Sequence, residues 1–139
     1  MIKILSGSYN KSDYAIRAYN TVIGQTFKDW KLVIMENSTD GITRNKVLEW
    51  VKSKNDPRIE LQIKDFTPEH RKEKYVVAEF INREYNKRDA DHYFWISDDD
   101  TMEPTTLEKL LKPQKSVTYA GVACYKDGQL LLFFLKINV

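Results

Sequence analysis

His92-Tyr93-Phe94-Trp95-Ile96-Ser97-Asp98-Asp99-Asp100 runs from an apolar segment straight into three successive carboxylates. The β-branched and aromatic content of its first half predicts a buried strand rather than a helix. Three acids at the end of such a strand stack like charge, which costs free energy unless water, hydrogen-bond donors or a cation compensates. A hard divalent ion, Mn²⁺ or Mg²⁺, is the simplest compensator, because it takes one or two carboxylates and fills its shell with water and phosphate oxygens. The plainer alternative is a solvated turn whose acids favour the N-terminus of a helix beginning near Pro104. The rest of the chain decides between them.

Upstream, strand and helix patterns alternate. Met1 to Leu5 reads as a short buried strand followed by the turn-permitting residues Ser6-Gly7-Ser8-Tyr9-Asn10. Ser12 or Asp13 can cap a helix in which Tyr14, Ala15, Ala18, Tyr19, Val22 and Ile23 recur at helical spacing before Gly24. Trp30 to Met35 is a second apolar strand, closing on the polar turn Glu36-Asn37-Ser38-Thr39-Asp40-Gly41. A helix over Thr43 to Lys54, a half-exposed strand over Ile59 to Ile63 and a mostly helical segment from Pro68 through Lys87 follow. That last segment starts with the basic cluster His70, Arg71, Lys72 and Lys74. Downstream of the acids, a helix through Leu107, Leu110 and Leu111 stops at Pro113. Two strands, 117–125 and 130–137, are then joined by Asp127-Gly128, a hairpin signal. Four alternations of strand and helix predict an α/β layered domain with a mainly parallel sheet. In such a sheet ligands bind where the carboxyl ends of the strands converge. The turns after Leu5, Met35 and Ile96 all lie at such ends, and three polar turns on one rim favour a binding site over an isolated solvated loop.

Composition narrows the classes. With 139 residues, 42% hydrophobic and 30% charged, the chain reads as one folded domain over 1–139. Lys plus Arg number 22 against 20 acids, net +2, too mild a balance to argue for nucleic acid. Cys124 is the only cysteine, which excludes an intramolecular disulfide and a multi-cysteine zinc site. It suits a core thiol in a reducing, cytoplasmic setting. Neither a signal peptide nor a stretch of membrane-spanning length is visible. The apolar tail from Leu130 to Val139 offers strands through which a homo-oligomer can pair.

A rim with small hydroxyls and an aromatic at one turn, an acid and an amide at the next, and carboxylates at the third suits a nucleoside diphosphate. Tyr9 can stack on or flank a base, Glu36 or Asn37 can meet the base edge, and the acids can hold a cation against the diphosphate. The cluster from His70 to Lys74 can add positive charge near the phosphates. Taken singly, Tyr9 is equally a packing aromatic, Glu36 a solvated turn residue and the basic helix start plain surface.

Taken in order, Ile4-Leu5-Ser6-Gly7-Ser8-Tyr9-Asn10-Lys11, Gly24-Gln25-Thr26-Phe27, Trp30 to Ile34, Glu36 to Gly41 and Trp95 to Asp100 resemble the landmarks of family 2 glycosyltransferases with the GT-A fold. The similarity is to the spore-coat polysaccharide type, with Lys74-Tyr75 and Ile81-Asn82 standing where that type has a basic-Tyr and an Ile-Asn pair. This resemblance implies a three-layer α/β/α sandwich of the nucleotide-diphospho-sugar transferase fold. It further implies a UDP- or dTDP-sugar donor, Mn²⁺ or Mg²⁺ bridging the diphosphate, and transfer with inversion to a saccharide or other hydroxyl acceptor. The residues it assigns to the nucleotide sugar are Ser8, Tyr9, Glu36, Asn37, Arg71, Lys74 and Asp98, with Asp99 and Asp100 for the metal. Two registers stay open. The paired aspartates usual at the second turn, one of which grips uracil, fall here on Glu36-Asn37 or Met35-Glu36. The Asp-x-Asp motif fits either Ser97 and Asp99 or, literally, Asp98 and Asp100; Asp99 is the favoured ligand, with Asp98 facing ribose or metal. The resemblance also implies that the C-terminal acceptor half is lacking. An inverting transferase needs a base for the acceptor hydroxyl, and the downstream acids Glu103, Glu108 and Asp127 do not stand in the family's context. The rivals are a non-catalytic binding or assembly module of the same fold and a nucleotidyltransferase, the latter without a Gly-rich phosphate loop after the first strand.

Overall fold

A computed structural model of the chain describes residues 1–112, 122–126 and 129–133, with side chains through residue 112. The sheet is built around β1 (Ile2–Ser8), whose seven residues are all buried. On one side β2 (Trp30–Glu36) and then β3 (Ile59–Ile63) pair with it; on the other lies β4 (His92–Trp95). The order is therefore β3-β2-β1-β4, with every pairing parallel. The chain moves outward through β1, β2 and β3 and then crosses back over β1. The point where strand order reverses thus falls between β1 and β4, the position at which open parallel sheets bind ligands.

Period-2 alternation sends the strands' side chains to two faces. Ile2, Ile4, Trp30, Leu32 and Ile34 pack with Ala15, Ala18, Tyr19 and Val22 of α1 (Ser12–Ile23) and Val47 and Trp50 of α2 (Gly41–Lys54). Leu107 of α5 (Thr106–Leu111) joins the same layer. On the opposite face Leu5, Val33 and Met35 meet Phe80, Val77 and Ile81 of α4 (Val76–Asn86). The result is the α/β layered domain that the strand–helix alternation predicts, in the three-layer α/β/α form that the resemblance implies. Each fully buried large aliphatic side chain contributes roughly 1.5–3 kcal/mol relative to exposure.

The face that carries α4 also holds a buried charge cluster. Lys3 Nζ lies 3.0 Å from Glu84 Oε2 and 2.8 Å from Asp89 Oδ2, with Lys3 and Glu84 both sealed from solvent. Lys87 Nζ approaches Glu84 Oε2 at 2.8 Å, and Gln62 Nε2 donates to Glu84 Oε1 at 3.0 Å. Burial pushes the Glu84 carboxyl upward, but the Lys87, Gln62 and Lys3 donors outweigh it and bring the group down to about 2. The cluster ties β1 to α4, to β3 and to the loop that enters β4.

Several expectations shift. The mostly helical segment expected over Pro68 to Lys87 holds two helices, α3 (Pro68–Glu73) and α4, separated by Lys74 in an extended conformation and by Tyr75. Thr67 caps α3 and Pro68 pre-sets its first turn. The break lets α3, which buries nothing, stand over the rim while α4 lies on the sheet. β4 is half-exposed rather than buried, because among the described residues it pairs only with β1 and ends the sheet. α1 begins at Ser12 after Lys11 with no side-chain cap, whereas Asp40 caps α2 by accepting from Thr43 N. β5 (Val122–Lys126) and β6 (Gln129–Phe133) pair antiparallel, with Lys126 opposite Gln129, the register a hairpin through Asp127-Gly128 requires. Pro113, that turn, the outer parts of the two expected strands, the Cys124 side chain and the proposed tail pairing lie outside the described residues.

Candidate functional site

On the face of the sheet that meets α1, the stripe Ile2, Ile4 of β1 turns polar as Ser6 and Ser8, and Trp30, Leu32, Ile34 of β2 end in Glu36, which pairs in register with Ser8. The Tyr19 phenol of α1 closes this layer from below, adjoining the Ser6 and Ser8 hydroxyls. Burial first, then the nearby carboxylates of Asp98 and Glu36, push its ionisation far above the ordinary tyrosine value. Ser6 Oγ, Ser8 Oγ, Tyr19 Oη and Glu36 Oε2 are buried without a hydrogen-bond partner among the described residues. The rim of the sheet thus rests on a polar floor rather than on packed apolar side chains.

Three turns meet above this floor. In the turn after β1, Tyr9 N donates to Asp98 Oδ2 at 3.0 Å, which joins β1 to the β4 turn at the topological switch. Asn10 takes a left-handed conformation, φ 51°, as asparagine tolerates. Its Oδ1 accepts from Thr39 N and Asp40 N, while its own N donates to Ser38 Oγ. In the turn after β2, Glu36 is fully buried, with Oε1 accepting from Ser38 N at 2.6 Å and Arg44 Nε 4.0 Å away. Asn37 Nδ2 donates to Ser8 O at 2.9 Å. From α3, Arg71 donates through Nη1 to Asn37 Oδ1 at 2.8 Å and through Nη2 to Asn37 O at 2.6 Å. The same guanidinium lies 4.7 Å from the Tyr9 ring centroid, a cation–π contact. This two-pronged, stacked arrangement is one that lysine cannot reproduce.

In the third turn each acid has a different environment. Asp98 is 6% exposed; burial, reinforced by the like charge of Asp99, raises its carboxyl. Asp99 is exposed, and the Lys11 ammonium at 2.5 Å together with the Ser97 hydroxyl at 2.7 Å lowers it. Asp100 is exposed, its N closing the turn on Ser97 O at 3.2 Å. Partial desolvation and neighbouring Asp99 raise its carboxyl, against the Ser97 backbone N–H and the charge of Lys11.

The structure therefore brings Ser8, Tyr9, Glu36, Asn37, Arg71, Asp98 and Asp99 into one connected rim. Asp100 stands beside it. Lys74 ends α3 in an extended conformation, exposed and without an ion pair among the described residues. Lys11 and Ser97 hold Asp99 in place; Ser97 stands in the first slot of one Asp-x-Asp register, whereas Lys11 was not among the residues expected at the site, its signal being one basic residue in a turn that faces three acids. Glu103 contributes its backbone carbonyl to Gln25 Nε2, and the Glu108 carboxylate accepts from Thr26 Oγ1; Asp127 lies outside the described residues. A hollow of about 380 Å³ lies between α1 and α2, lined by Asp13, Ile16, Lys46, Glu49, Trp50 and Ser53, and none of the rim residues borders it.

The acidic turn suits a hard divalent ion. Its donors are all oxygens, and the Lys11 ammonium, 2.5 Å from Asp99 Oδ2 and 3.9 Å from Asp98 Oδ1, marks a position where one cation meets both carboxylates. Among the described residues no three His, Cys, Asp or Glu side chains converge on a point.

The chain is similar to several known proteins. Protein CgeD of Bacillus subtilis (strain 168) is 27% identical over 124 residues, 86% of this chain and 28% of CgeD. The mannosyltransferase PcManGT from Pyrobaculum calidifontis in complex with GDP-Man and Mn²⁺ superposes with a TM-score of 0.63 at 16% identity, over 90% of this chain and 35% of that one. S. aureus TarS 1-349 in complex with UDP-GlcNAc superposes with a TM-score of 0.52 at 15% identity, over 78% and 29%. The chain thus spans roughly a third of the length of these proteins, and the superpositions show a shared GT-A-like fold. No helix among the described residues is long and apolar enough to cross a membrane. Glycosyl transferase family 2 matches residues 4–130, nearly the whole sequence, and the chain belongs to that family.

Proposed function

We propose that this chain is the nucleotide-sugar-binding domain of a glycosyltransferase that takes a UDP- or dTDP-sugar with Mn²⁺ or Mg²⁺ and transfers the sugar, with inversion, to a hydroxyl of a saccharide or other acceptor. The observation that carries the reading is the joining of three strand-end turns at the β1/β4 switch, with Asp98 and Asp99 facing one cation position. Tyr9 and Asn37, braced by Arg71, border the base, and Glu36 fixes the second turn from within. Ser8 lends its backbone to the rim, Asp98 faces ribose or metal, and Lys74 adds positive charge for the phosphates. Asp99, with Asp98 or Asp100, would hold the cation, which when bound screens the diphosphate and stabilises charge on it as it leaves. Support comes from GDP-Man and Mn²⁺ in PcManGT and UDP-GlcNAc in TarS, proteins of the same fold. The chain spans 35% and 29% of those two, and on this reading an acceptor surface and a base complete the reaction.

A non-catalytic binding module is the second reading, favoured by Glu36, whose buried carboxylate is turned to Ser38 N and Arg44 instead of presenting a short acid to a base. Calorimetric titration with UDP, with and without Mn²⁺, tests the shared site. Metal-dependent binding that is lost in Asp99→Ala is the expected result, and no binding of any nucleoside diphosphate overturns the site. Release of UDP from UDP-glucose above the Asp99→Ala background separates the enzyme from the binding module.

A further inference from the structure

We infer that Lys11 is a built-in counter-ion that competes with the divalent metal for the acidic turn, so that metal and diphosphate bind cooperatively. The inference rests on the nucleotide-sugar reading of this site. Of the four carboxylate oxygens on Asp98 and Asp99, two are engaged elsewhere: Asp98 Oδ2 accepts from Tyr9 N and Asp99 Oδ1 from Ser97 Oγ. The remaining two, Asp98 Oδ1 and Asp99 Oδ2, both face the Lys11 ammonium, at 3.9 and 2.5 Å. They are also the oxygens best placed for a metal. Mg²⁺ needs an oxygen at about 2.0–2.1 Å, and an ammonium 2.5 Å from Asp99 Oδ2 occupies that space and repels a second cation. Entry of the metal therefore requires Lys11 to leave.

The side chain is able to do so. Lys11 precedes the first residue of α1 and makes no cap bond, it is exposed, and among the described residues its ammonium contacts only these two acids. Lysine is a compact charge on a flexible stem, so displacement costs the ion pair and little else. A diphosphate at the rim offers the displaced ammonium a new anionic partner. Metal alone then binds against competition, whereas metal with diphosphate binds without it, and by linkage each strengthens the other.

The test is titration of Mn²⁺ into the protein, read by the electron paramagnetic resonance of the free ion, in the absence and presence of saturating UDP. Exposed ion pairs are weak, so Lys11→Met is expected to bind Mn²⁺ alone about two- to fivefold more tightly than wild type and to lose a similar factor of Mn²⁺–UDP coupling. Lys11→Gln is expected to behave as Lys11→Met, and Lys11→Arg, which keeps the charge, to stay near wild type. Unchanged or weaker binding of Mn²⁺ alone in Lys11→Met and Lys11→Gln, with wild type binding Mn²⁺ and UDP together, overturns the inference and leaves the site standing. Failure of the wild type to bind Mn²⁺ even with UDP overturns the nucleotide-sugar reading and the inference with it.

Discussion

Replacing Glu84 with glutamine removes one negative charge and almost no volume from the middle of the Lys3 cluster. In the folded chain the Glu84 carboxyl sits at about 2, against an ordinary value of 4.5. At about 1.4 kcal/mol per unit, that gap is worth on the order of 3 kcal/mol of stability at neutral pH. Glu84 is sealed from solvent, as is Lys3, so salt screening removes little of their share; only the exposed Lys87 partner is screened. The sign follows from the downward shift. The stabilisation is fully present above about pH 4.5 and is lost as pH falls toward about 2, where the folded state also takes up the proton. Urea unfolding followed by tryptophan fluorescence, at pH 7, 5, 4 and 3, gives the difference between wild type and Glu84→Gln at each pH. Carboxyls common to both proteins cancel in that difference. It is expected to be about 3 kcal/mol at pH 7, to move the midpoint by about 1–3 M urea, and to shrink steadily below pH 4.5. A difference that is the same at every pH would assign the loss to packing, and no difference at pH 7 would show that the buried pair only repays its own desolvation.

Asp98→Asn keeps an oxygen for Tyr9 N but removes the charge that faces Lys11. Mn²⁺-dependent UDP affinity is expected to fall about tenfold or more, as measured by calorimetry. Because burial raises the Asp98 carboxyl, its ionisation opposes folding as pH rises through the carboxylate range, so the thermal midpoint at pH 7 is expected to hold or rise. A fall in both affinity and midpoint would show that Asp98 acts mainly by joining β1 to β4. Arg71→Lys abandons the two bonds to Asn37 and the contact with Tyr9; UDP affinity is expected to weaken about tenfold at fixed Mn²⁺. Wild-type affinity in that variant would remove Arg71 from the base-binding rim.

Much of the fold was legible because it is written in local apolar pattern. Ile2 to Leu5, Trp30 to Met35 and the alternating Ile59 to Ile63 are strands, and parallel order follows from the helices between them. The features that escaped are set by partners far away in sequence. The break at Lys74 is invisible in a segment with a helical apolar face, because it arises from α3 standing on Asn37 while α4 packs on Met35 and Leu5. The half-exposure of β4 reflects its place at the end of the described sheet, which its apolar residues do not encode. At the site, the residue types were legible and their engagement was not. Glu36 reads as a surface turn residue, yet register with Ser8 carries it inward. The contact between Lys11 and Asp99 spans 88 residues, a separation over which no periodicity informs.

The polar floor shows why such a site costs stability. β1 and β2 spend their first positions on Ile2, Ile4, Trp30, Leu32 and Ile34, all turned toward α1, then place Ser6, Ser8 and Glu36 in the same row. Valine or alanine at Ser6 and Ser8 would continue the core, whereas Glu36 is also held by Ser38 N. Instead, Ser6, Ser8, Tyr19 and Glu36 place buried polar atoms there, with the Tyr19 hydroxyl adjoining those of Ser6 and Ser8. Such atoms also occur on Trp30, Arg44, Arg71 and Glu84. Ser6, Ser8, Tyr19 and Glu36 cluster where β1 and β2 end, beneath the turns that carry Tyr9, Asn37 and Asp98. A fold under selection for stability alone gains nothing there, whereas the rim of the proposed function, with polar oxygens and a cation to hold, is served by a polar supporting layer.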